Sequence, residues 1–275
     1  MKDLSNENII HVKKEGIQYL QFRKLLAYSD IINHAFGIGL DRSYRTSKQN
    51  GEEYNKSVKN YKDLCTAIGI NYVNCVKPCQ QHTKNIRVVK QKENRGNVDF
   101  EQVTYKSTDG LITSKKKIAL ATTNADCILL LLFDPVKKVI ANVHSGWRGT
   151  LQRIAARAVN KMKNEFQSNP KDIICCICPS IRKCHFEVRA DVQTLYYNEF
   201  QDLKEIEDLI VPVEGEEKWM IDTIEINKIL LRQAGLKNEN IIDSGICSVC
   251  DSELVHSFRV EKQGYGLCTA IIELK

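Results

Sequence analysis

The stretch IALATTNADCILLLLFDPVKKVIANVHSGWRGT, residues 118–150, decides the fold of this chain. It contains three apolar runs of strand length, at 118–122, 128–133 and 139–143. The run at 128–133 is apolar at every position, which is typical of a strand buried on both faces of its sheet. Asp134 and Pro135 follow this run and predict a turn into the third strand.

A helix is predicted after the third strand. Residues 145–149 form a glycine-bounded turn, and we expect the helix to begin near Thr150. Behind this turn the apolar residues recur at helical spacing and form one amphipathic stripe. Its members are Leu151, Ile154, Ala155, Ala158, Val159, Met162 and Phe166.

The rest of the chain predicts further strands, helices and loops. We expect strands at 72–76, 86–89 and 173–178, loops at 41–53 and 91–99, and helices at 56–68, 190–200 and 222–235. No Pro/Gly/Ser-rich linker and no repeat interrupts the sequence. We therefore predict one α+β domain over 1–275, with mixed β-sheets flanked by helices and a poorly defined N-terminal segment at about 1–18.

Composition limits the classes of function. The net charge of +6 on 275 residues is spread over short runs of lysine, whereas nucleic-acid binding predicts a dense basic stripe. The longest fully apolar run, 128–133, is too short to cross a bilayer, and the N-terminus lacks the apolar segment of an export signal. Eleven cysteines without such a signal indicate reduced thiols and a cytoplasmic protein.

Three residues attract attention by their positions. His82 lies in the predicted loop before the strand at 86–89, Cys127 begins the strand at 128–133, and His144 follows the third strand. Two imidazoles and a thiolate are suitable ligands for zinc, with a fourth position left open for water or substrate. A hydrogen-bonded histidine or a buried cysteine is the more common role of such residues, so their positions alone leave the metal site open.

Two pairs of cysteines and one arginine form further patterns in the sequence. Cys175 with Cys178, and Cys247 with Cys250, have Cys-x-x-Cys spacing. The two pairs are farther apart than in a zinc ribbon, and the first lies in a buried strand, so we expect no shared metal. Arg148, between two glycines at the predicted helix start, is a candidate anion-binding residue.

The central motifs resemble those of a known family. The sequences TNADC at 123–127, Asp134, and HSGWRGT at 144–150 are similar to the core signature of the YfiH/YlmD family. Members of this family were long described as multicopper polyphenol oxidoreductases or laccase-like proteins and are now associated with purine nucleoside metabolism. Weaker similarities cover most of the remaining chain, at 33–36, 80–83, 109–113, 179–188, 247–248 and 256–259.

The resemblance implies an α+β fold and one zinc ion held by His82, Cys127 and His144. It implies phosphorolysis of adenosine, inosine, guanosine and methylthioadenosine, and hydrolytic deamination of adenosine. Purine nucleosides and phosphate are then the expected partners. Besides Cys127 and His144, Asp126 is the candidate catalytic residue, with a role in handling protons. The candidate substrate and phosphate contacts are Asn124, Arg148, Arg259 and Arg45.

The sequence departs from the family pattern where arginines are usual, at 37–40 and at Leu267. Three alternatives therefore stay open. The first is a metal-free hydrolase with Cys127 as nucleophile and His144 as base. The second is a copper oxidoreductase, which is less favoured because the chain has only six histidines. The third is a nucleoside-binding protein without catalytic activity. The preferred nucleoside, the dominant reaction and the oligomeric state also stay open.

Overall fold

A computed structural model describes residues 2–46, 51–90 and 106–275 of the chain. Within these residues, two six-stranded sheets and one three-stranded sheet are flanked by helices. This mixed architecture confirms the predicted α+β class. The assignment of residues 1–275 to a single domain stays a prediction.

The first sheet is antiparallel except at one edge, where its last two strands run parallel. The order of its strands is β1 (Ile9–Lys14), β2 (Ile17–Phe22), β3 (Ile32–Ile38), β15 (Cys268–Leu274), β7 (Ala119–Asn124) and β4 (Cys75–Val76).

The second sheet is mixed, with parallel pairs at both edges. Its order is β14 (Ile241–Asp243), β10 (Ile174–Ile177), β8 (Ile128–Asp134), β9 (Val139–Ser145), β6 (Gly110–Thr113) and β5 (Ile86–Val88). The small third sheet has the order β11 (Glu187–Arg189), β13 (Lys218–Ile221) and β12 (Ile210–Pro212).

Helices of very different lengths cover the sheets. They are α1 (Arg23–Leu26), α2 (Glu52–Ala67), α3 (Trp147–Leu151), α4 (Ile154–Phe166), α5 (Ala190–Phe200), α6 (Ile206–Leu209), α7 (Thr223–Gln233) and α8 (Phe258–Glu261). In the described part of the chain, no helix combines the length and the apolar character that crossing a membrane requires.

Strand β8 is the centre of the packing. Leu129, Leu131 and Phe133 face a core between the two large sheets. The alternate residues, such as Leu130 and Leu132, face a second core beneath α4 and α7. Because successive side chains of a strand point to opposite faces, a strand between two cores has to be apolar at every position. The uninterrupted run at 128–133 meets this requirement and confirms the predicted two-sided burial.

The large sheets lie face to face, and each has helices on its outer side. Helix α2 packs on the first sheet through Tyr61, Leu64 and Cys65. Helices α4 and α7 cover the second sheet, and α7 also packs with α5 and the third sheet. The resulting order is helix, sheet, sheet, helix, with the third sheet attached at one side.

Asn142 of β9 joins the two large sheets by hydrogen bonds. Its side-chain nitrogen donates to the carbonyl of Leu120 in β7 at 2.9 Å and to that of Ala270 in β15 at 2.8 Å. Its side-chain oxygen accepts from the hydroxyl of Thr122. All these groups are buried, so the amide is satisfied only when the sheets are in register with each other.

The helix predicted after β9 begins earlier than expected and is interrupted. Helix α3 starts at Trp147, not near Thr150, and Arg153 adopts a left-handed conformation (φ 57°) before α4. The apolar stripe serves two cores, because Leu151 packs toward the third sheet whereas Ile154 packs on the second. The guanidinium of Arg153 holds the break through Glu199, at 2.7 Å.

Other boundaries also differ from the prediction. In 72–76, only Cys75–Val76 is a strand, because the side chain of Asn71 caps a 3-10 turn over Tyr72–Asn74. Residues 9–14, within the segment predicted to be poorly defined, form β1 at the sheet edge. The predicted loop at 41–53 ends at the start of α2, and its residues 47–50, like the predicted loop at 91–99, lie outside the described residues.

Two predicted helices are confirmed, one at its C-terminal end and one at its N-terminal cap, although α2 begins at Glu52 and not at residue 56. Helix α2 ends just before Gly69, which has a positive φ of 74°. Helix α7 starts after Asp222, whose carboxylate accepts a hydrogen bond from the backbone of Glu225 at 2.9 Å, as the capping pattern predicts.

The buried His34 of β3 leads to a prediction about acid stability. Its Nε2 accepts a hydrogen bond from the backbone N–H of Phe22 at 2.8 Å, and burial lowers the pKa of His34 to about 3. The unfolded chain takes up this proton below about pH 6.5, whereas the folded chain does not. The free energy of unfolding should therefore fall by up to about 1.4 kcal/mol per pH unit as the pH falls from 6.5 toward 3.

The variant His34→Gln keeps a hydrogen-bond acceptor but does not titrate, and it is the matched control. Urea unfolding of both proteins between pH 4 and pH 8 should show the steeper loss on acidification for the wild type. Parallel curves would contradict the assignment of this loss to His34.

Candidate metal centre

His82, Cys127 and His144 converge at one end of the second sheet. His82 lies in the loop between β4 and β5, Cys127 immediately precedes β8, and His144 is in β9. The Nε2 atom of His82 is 3.7 Å from the Sγ atom of Cys127, and the two imidazole rings are 4.9 Å apart at their centres. One ligand atom of each residue lies within 4.8 Å of the others.

This spacing fits a tetrahedral zinc site. Bond lengths of about 2.3 Å for Zn–S and about 2.0–2.1 Å for Zn–N place sulfur and nitrogen ligands about 3.6 Å apart. Gly146 allows this approach, since a Cβ atom there would lie 2.4 Å from the His82 ring and 3.3 Å from the Cys127 sulfur. The donor set of two imidazoles and one thiol is also one that zinc accepts, with one position open.

Asp109, at the start of β6, organises the centre. Its Oδ1 atom accepts hydrogen bonds from His144 Nδ1 at 2.8 Å and from the backbone of His82 at 3.0 Å. Its Oδ2 atom accepts from the backbone of Gln81 and from both the backbone and the hydroxyl of Thr83. Because Nδ1 of His144 is engaged, its Nε2 is the atom left to face Cys127 or a metal ion.

The electrostatics of the protein groups favour a charged thiolate. Burial raises the pKa of Cys127, but the neighbouring imidazoles of His144 and His82 outweigh burial and bring this pKa down to about 6. Burial lowers the pKa of His144, whereas Cys127 and the hydrogen bond to Asp109 raise it, to about 9. Deprotonated cysteine is the form that binds metal ions and acts as a nucleophile.

A cavity of about 880 Å³ opens beside these three residues. This volume lies in the range of pockets that hold small organic ligands. Its walls combine aromatic side chains with cationic ones, and the aromatic group consists of Trp147, Phe186, Phe258 and Tyr265.

Asp126 lines the cavity but is fully engaged by other protein groups. Its Oδ1 atom accepts from the hydroxyls of Ser248 at 2.6 Å and Ser257 at 2.7 Å, and its Oδ2 atom accepts from the backbone of Arg259 at 2.7 Å. Asp126 itself has a positive φ of 83°. These contacts position the turn before Cys127 and fasten the segment 248–259 to it, and a role of Asp126 in handling protons stays a prediction.

Asn124 also lines the cavity, as predicted for a substrate contact. Its side-chain nitrogen donates to the carbonyls of Cys127 and Pro179. Its Oδ1 atom is buried and has no hydrogen-bond partner among the described residues. A buried acceptor without a partner costs free energy.

Of the three arginines predicted to contact substrate or phosphate, two line the cavity and one does not. Arg45 stacks on the ring of Tyr265 at 4.1 Å and donates to its carbonyl at 2.8 Å. Arg259 donates to the carbonyl of Glu187 at 3.1 Å. Arg148 is exposed, lies over the ring of its neighbour Trp147 and is not part of the cavity wall. The helix start expected near Thr150 is at Trp147 instead, and a role of Arg148 in binding phosphate stays a prediction.

Sequence reasoning missed two kinds of residue. Asp109 was noticed only as part of a weak motif, because one aspartate before a strand looks like an ordinary turn residue. The aromatic residues of the cavity wall lie far apart in the sequence, apart from Phe258 and Tyr265, so no local spacing pattern predicts that they meet. Lys77 was missed for the same reason; it lines the cavity, and burial lowers its pKa to about 7.

The chain is similar to known proteins in both sequence and fold. The chain is 28% identical over 218 residues to purine nucleoside phosphorylase YlmD of Bacillus subtilis (strain 168), covering 79% of this chain and 77% of that protein. It is 28% identical over 196 residues to adenosine deaminase RL5 from an unknown prokaryotic organism, covering 71% and 73%. The crystal structure of the Bacillus licheniformis hypothetical protein YfiH superposes with a TM-score of 0.86 at 25% identity, covering 98% of this chain and 100% of that one.

A family model described as multi-copper polyphenol oxidoreductase laccase matches residues 40–275, which is most of the chain. The match includes all three residues of the candidate centre and the cavity walls around them. The chain thus belongs to the multi-copper polyphenol oxidoreductase laccase family, the YfiH/YlmD group that its central motifs resemble.

Proposed function

We propose that this protein is a zinc-dependent purine nucleoside enzyme. Its reactions are phosphorolysis of adenosine, inosine, guanosine and methylthioadenosine, and hydrolytic deamination of adenosine. The observation that supports this most is the convergence of His82, Cys127 and His144 on a cavity with aromatic and cationic walls. Relatives named purine nucleoside phosphorylase and adenosine deaminase support the class of substrate. The cytoplasmic location stays a prediction.

His82, Cys127 and His144 would hold the zinc ion. The chemistry that zinc supplies in such a site is Lewis-acid activation of water or of a substrate oxygen. Asp109 keeps His144 in the tautomer that directs Nε2 toward the centre. A multicopper site would need more histidines than the two that line this cavity.

The cavity walls offer surfaces suited both to a purine base and to phosphate. Aromatic rings such as Trp147 and Phe186 offer flat apolar surfaces for a purine base. Asn124 lines the same cavity and would contact the substrate there. Arg45 and Arg259 would hold phosphate, since each guanidinium has five N–H donors in a planar arrangement suited to phosphate oxygens.

A metal-free cysteine hydrolase is the second candidate, because a specific geometry favours it. Cys127, His144 and Asp109 form a chain of thiol, imidazole and carboxylate, and the lowered pKa of Cys127 favours its nucleophilic form. The two candidates differ in their response to metal removal. A chelator abolishes the nucleoside reactions of a zinc enzyme and leaves a cysteine hydrolase active.

The first test of the proposal is a panel of nucleosides. Zinc-loaded protein is incubated with adenosine, inosine, guanosine or methylthioadenosine, with and without inorganic phosphate, and the products are identified by mass. We expect free base and ribose phosphate only when phosphate is present, and inosine from adenosine in its absence. Binding without turnover of any nucleoside would instead favour a non-catalytic binding protein.

The metal ligands are tested with Cys127→Ala. This variant should lose about one zinc ion per chain and should lose both nucleoside activities by roughly a hundredfold or more, because the thiolate is one of three protein ligands. Elemental analysis measures the zinc content of each variant. The control is Cys79→Ala, which removes another thiol of the cavity wall and should keep the zinc ion. Unchanged zinc content in Cys127→Ala would refute the assignment.

The phosphate contact is tested by comparing Arg45→Ala with Arg148→Ala. A charge-assisted hydrogen bond contributes about 1.5–3 kcal/mol, so Arg45→Ala should weaken the use of phosphate by roughly tenfold to a hundredfold. Deamination, which uses no phosphate, should change little. Arg148 is exposed, so Arg148→Ala should not lower phosphorolysis selectively. A loss of phosphorolysis confined to Arg148→Ala would instead identify Arg148 as the phosphate contact, as predicted from the sequence.

A further inference from the structure

A second group of metal-ligating side chains lies outside the nucleoside cavity. Cys184, His185, Cys247 and Cys250 each offer one ligand atom, and these atoms lie within 4.8 Å of one another. Cys247 is buried, His185 is half-buried, and the other two cysteines are exposed. None of the four contributes to the cavity wall.

This group differs from the four-cysteine site considered from the sequence. Cys175 and Cys178 do not belong to it, because they are buried and face opposite sides of the second sheet. The pair Cys247 and Cys250 has the expected Cys-x-x-Cys spacing, but its partners are two adjacent residues of a loop, Cys184 and His185.

The distances within the group match tetrahedral zinc. The Cys184 sulfur is 3.7 Å from the Cys247 sulfur and 3.9 Å from the Cys250 sulfur. The Nδ1 atom of His185 is 3.2, 3.7 and 3.6 Å from the sulfurs of Cys184, Cys247 and Cys250. A zinc ion with Zn–S bonds of about 2.3 Å and a Zn–N bond of about 2.0–2.1 Å requires about 3.8 Å between sulfurs and about 3.6 Å between sulfur and nitrogen.

The backbone fixes both halves of the group. A turn closed by hydrogen bonds from the backbone of His185 and Phe186 to the carbonyl of Arg182, each 2.9 Å long, presents Cys184 and His185. Hydrogen bonds from the backbone of Asp251 to the carbonyl of Cys247 and from the backbone of Ser248 to the carbonyl of Ser180, each 3.0 Å long, position the segment 247–250.

We propose that Cys184, His185, Cys247 and Cys250 bind a structural zinc ion. Three thiolates and one imidazole complete a four-coordinate shell, which leaves no position for substrate. Thiolate-rich tetrahedral sites select zinc over magnesium or calcium, which prefer oxygen ligands. The ion joins the segment 184–185 to the segment 247–250, close to an isolated β-bridge between Ser180 and Cys247.

The position of this site connects it with the nucleoside cavity. Phe186, next to His185, lines the cavity, and Ser248, next to Cys247, donates to Asp126 at 2.6 Å. The ion therefore holds in place one wall of the cavity and one of the groups that fix the turn before Cys127. Its removal should disturb nucleoside binding without taking any ligand from the candidate centre.

A disulfide does not account for the arrangement. All three cysteines are free thiols in the structure, and the Cys184 sulfur lies 3.7 and 3.9 Å from the other two sulfurs, whereas a disulfide bond is about 2.0 Å long. A disulfide between any two of the cysteines would also leave the third thiol and the imidazole without a function.

The zinc content of single variants tests the proposal. The purified full chain should contain about two zinc ions, Cys184→Ala should contain one, and Cys175→Ala, at a cysteine outside the group, should contain two. Combined with Cys127→Ala, Cys184→Ala should remove all zinc. If the function proposed above is wrong and only the structural site binds zinc, the wild type will contain one ion, which Cys127→Ala retains and Cys184→Ala loses. Unchanged zinc in Cys184→Ala overturns the structural site.

A second measurement uses the unchanged chain, in case Cys184→Ala does not fold. The zinc-loaded protein and a chelator-treated sample are exposed to iodoacetamide, and the labelled cysteines are mapped by mass spectrometry. Cys184 and Cys250 are exposed, so they should react at least tenfold faster after chelation than before it. Rapid labelling of both in the zinc-loaded protein, or a mass that shows a disulfide between them, contradicts the proposal.

Discussion

The carboxylate of Asp109 is the constraint on which the candidate centre depends. It is fully buried, and it accepts hydrogen bonds from the backbone of the loop 81–83 and from the ring of His144 at once. His82 adopts a left-handed backbone with a φ of 58°, a conformation that costs a non-glycine residue about 1–2 kcal/mol. Asp109 offsets this cost, and with the same oxygen atom it sets the distance between the two imidazoles.

The centre lies where the chain passes from the first large sheet to the second. Strand β7 belongs to the first sheet and β8 to the second, and the turn between them carries Asp126 and Cys127. Any sliding of one sheet on the other would displace this turn. The hydrogen bonds of Asn142 across the interface oppose such sliding, so a buried amide outside the cavity wall helps to keep the cysteine in place.

The sequence allowed the central strands to be predicted because their signals are local, whereas the three candidate ligands are predicted through the resemblance of their motifs to the YfiH/YlmD family. An apolar run such as 128–133 and the capping pattern at Asp222 do not depend on distant residues. The break between α3 and α4 at Arg153 involves a distant residue, because Arg153 pairs with Glu199. The periodic apolar stripe therefore gives no indication of the break. For the same reason, the sequence offers only another Cys-x-x-Cys pair as partners of Cys247 and Cys250, and predicts no metal shared with it. The residues that the fold brings to them, Cys184 and His185, lie in a loop without regular spacing.

The place of β15 in the first sheet affects the order in which the protein can assemble. This strand lies between β3 and β7, which do not pair with each other. A ribosome makes β3, β7 and every ligand of the candidate centre before it makes β15. During that time the nascent sheet has two unpaired edges and an uncovered apolar face, the features that make partly folded chains prone to aggregate. Pairings between segments so distant in the chain also form slowly, so β15 closes this sheet late in the assembly of the fold.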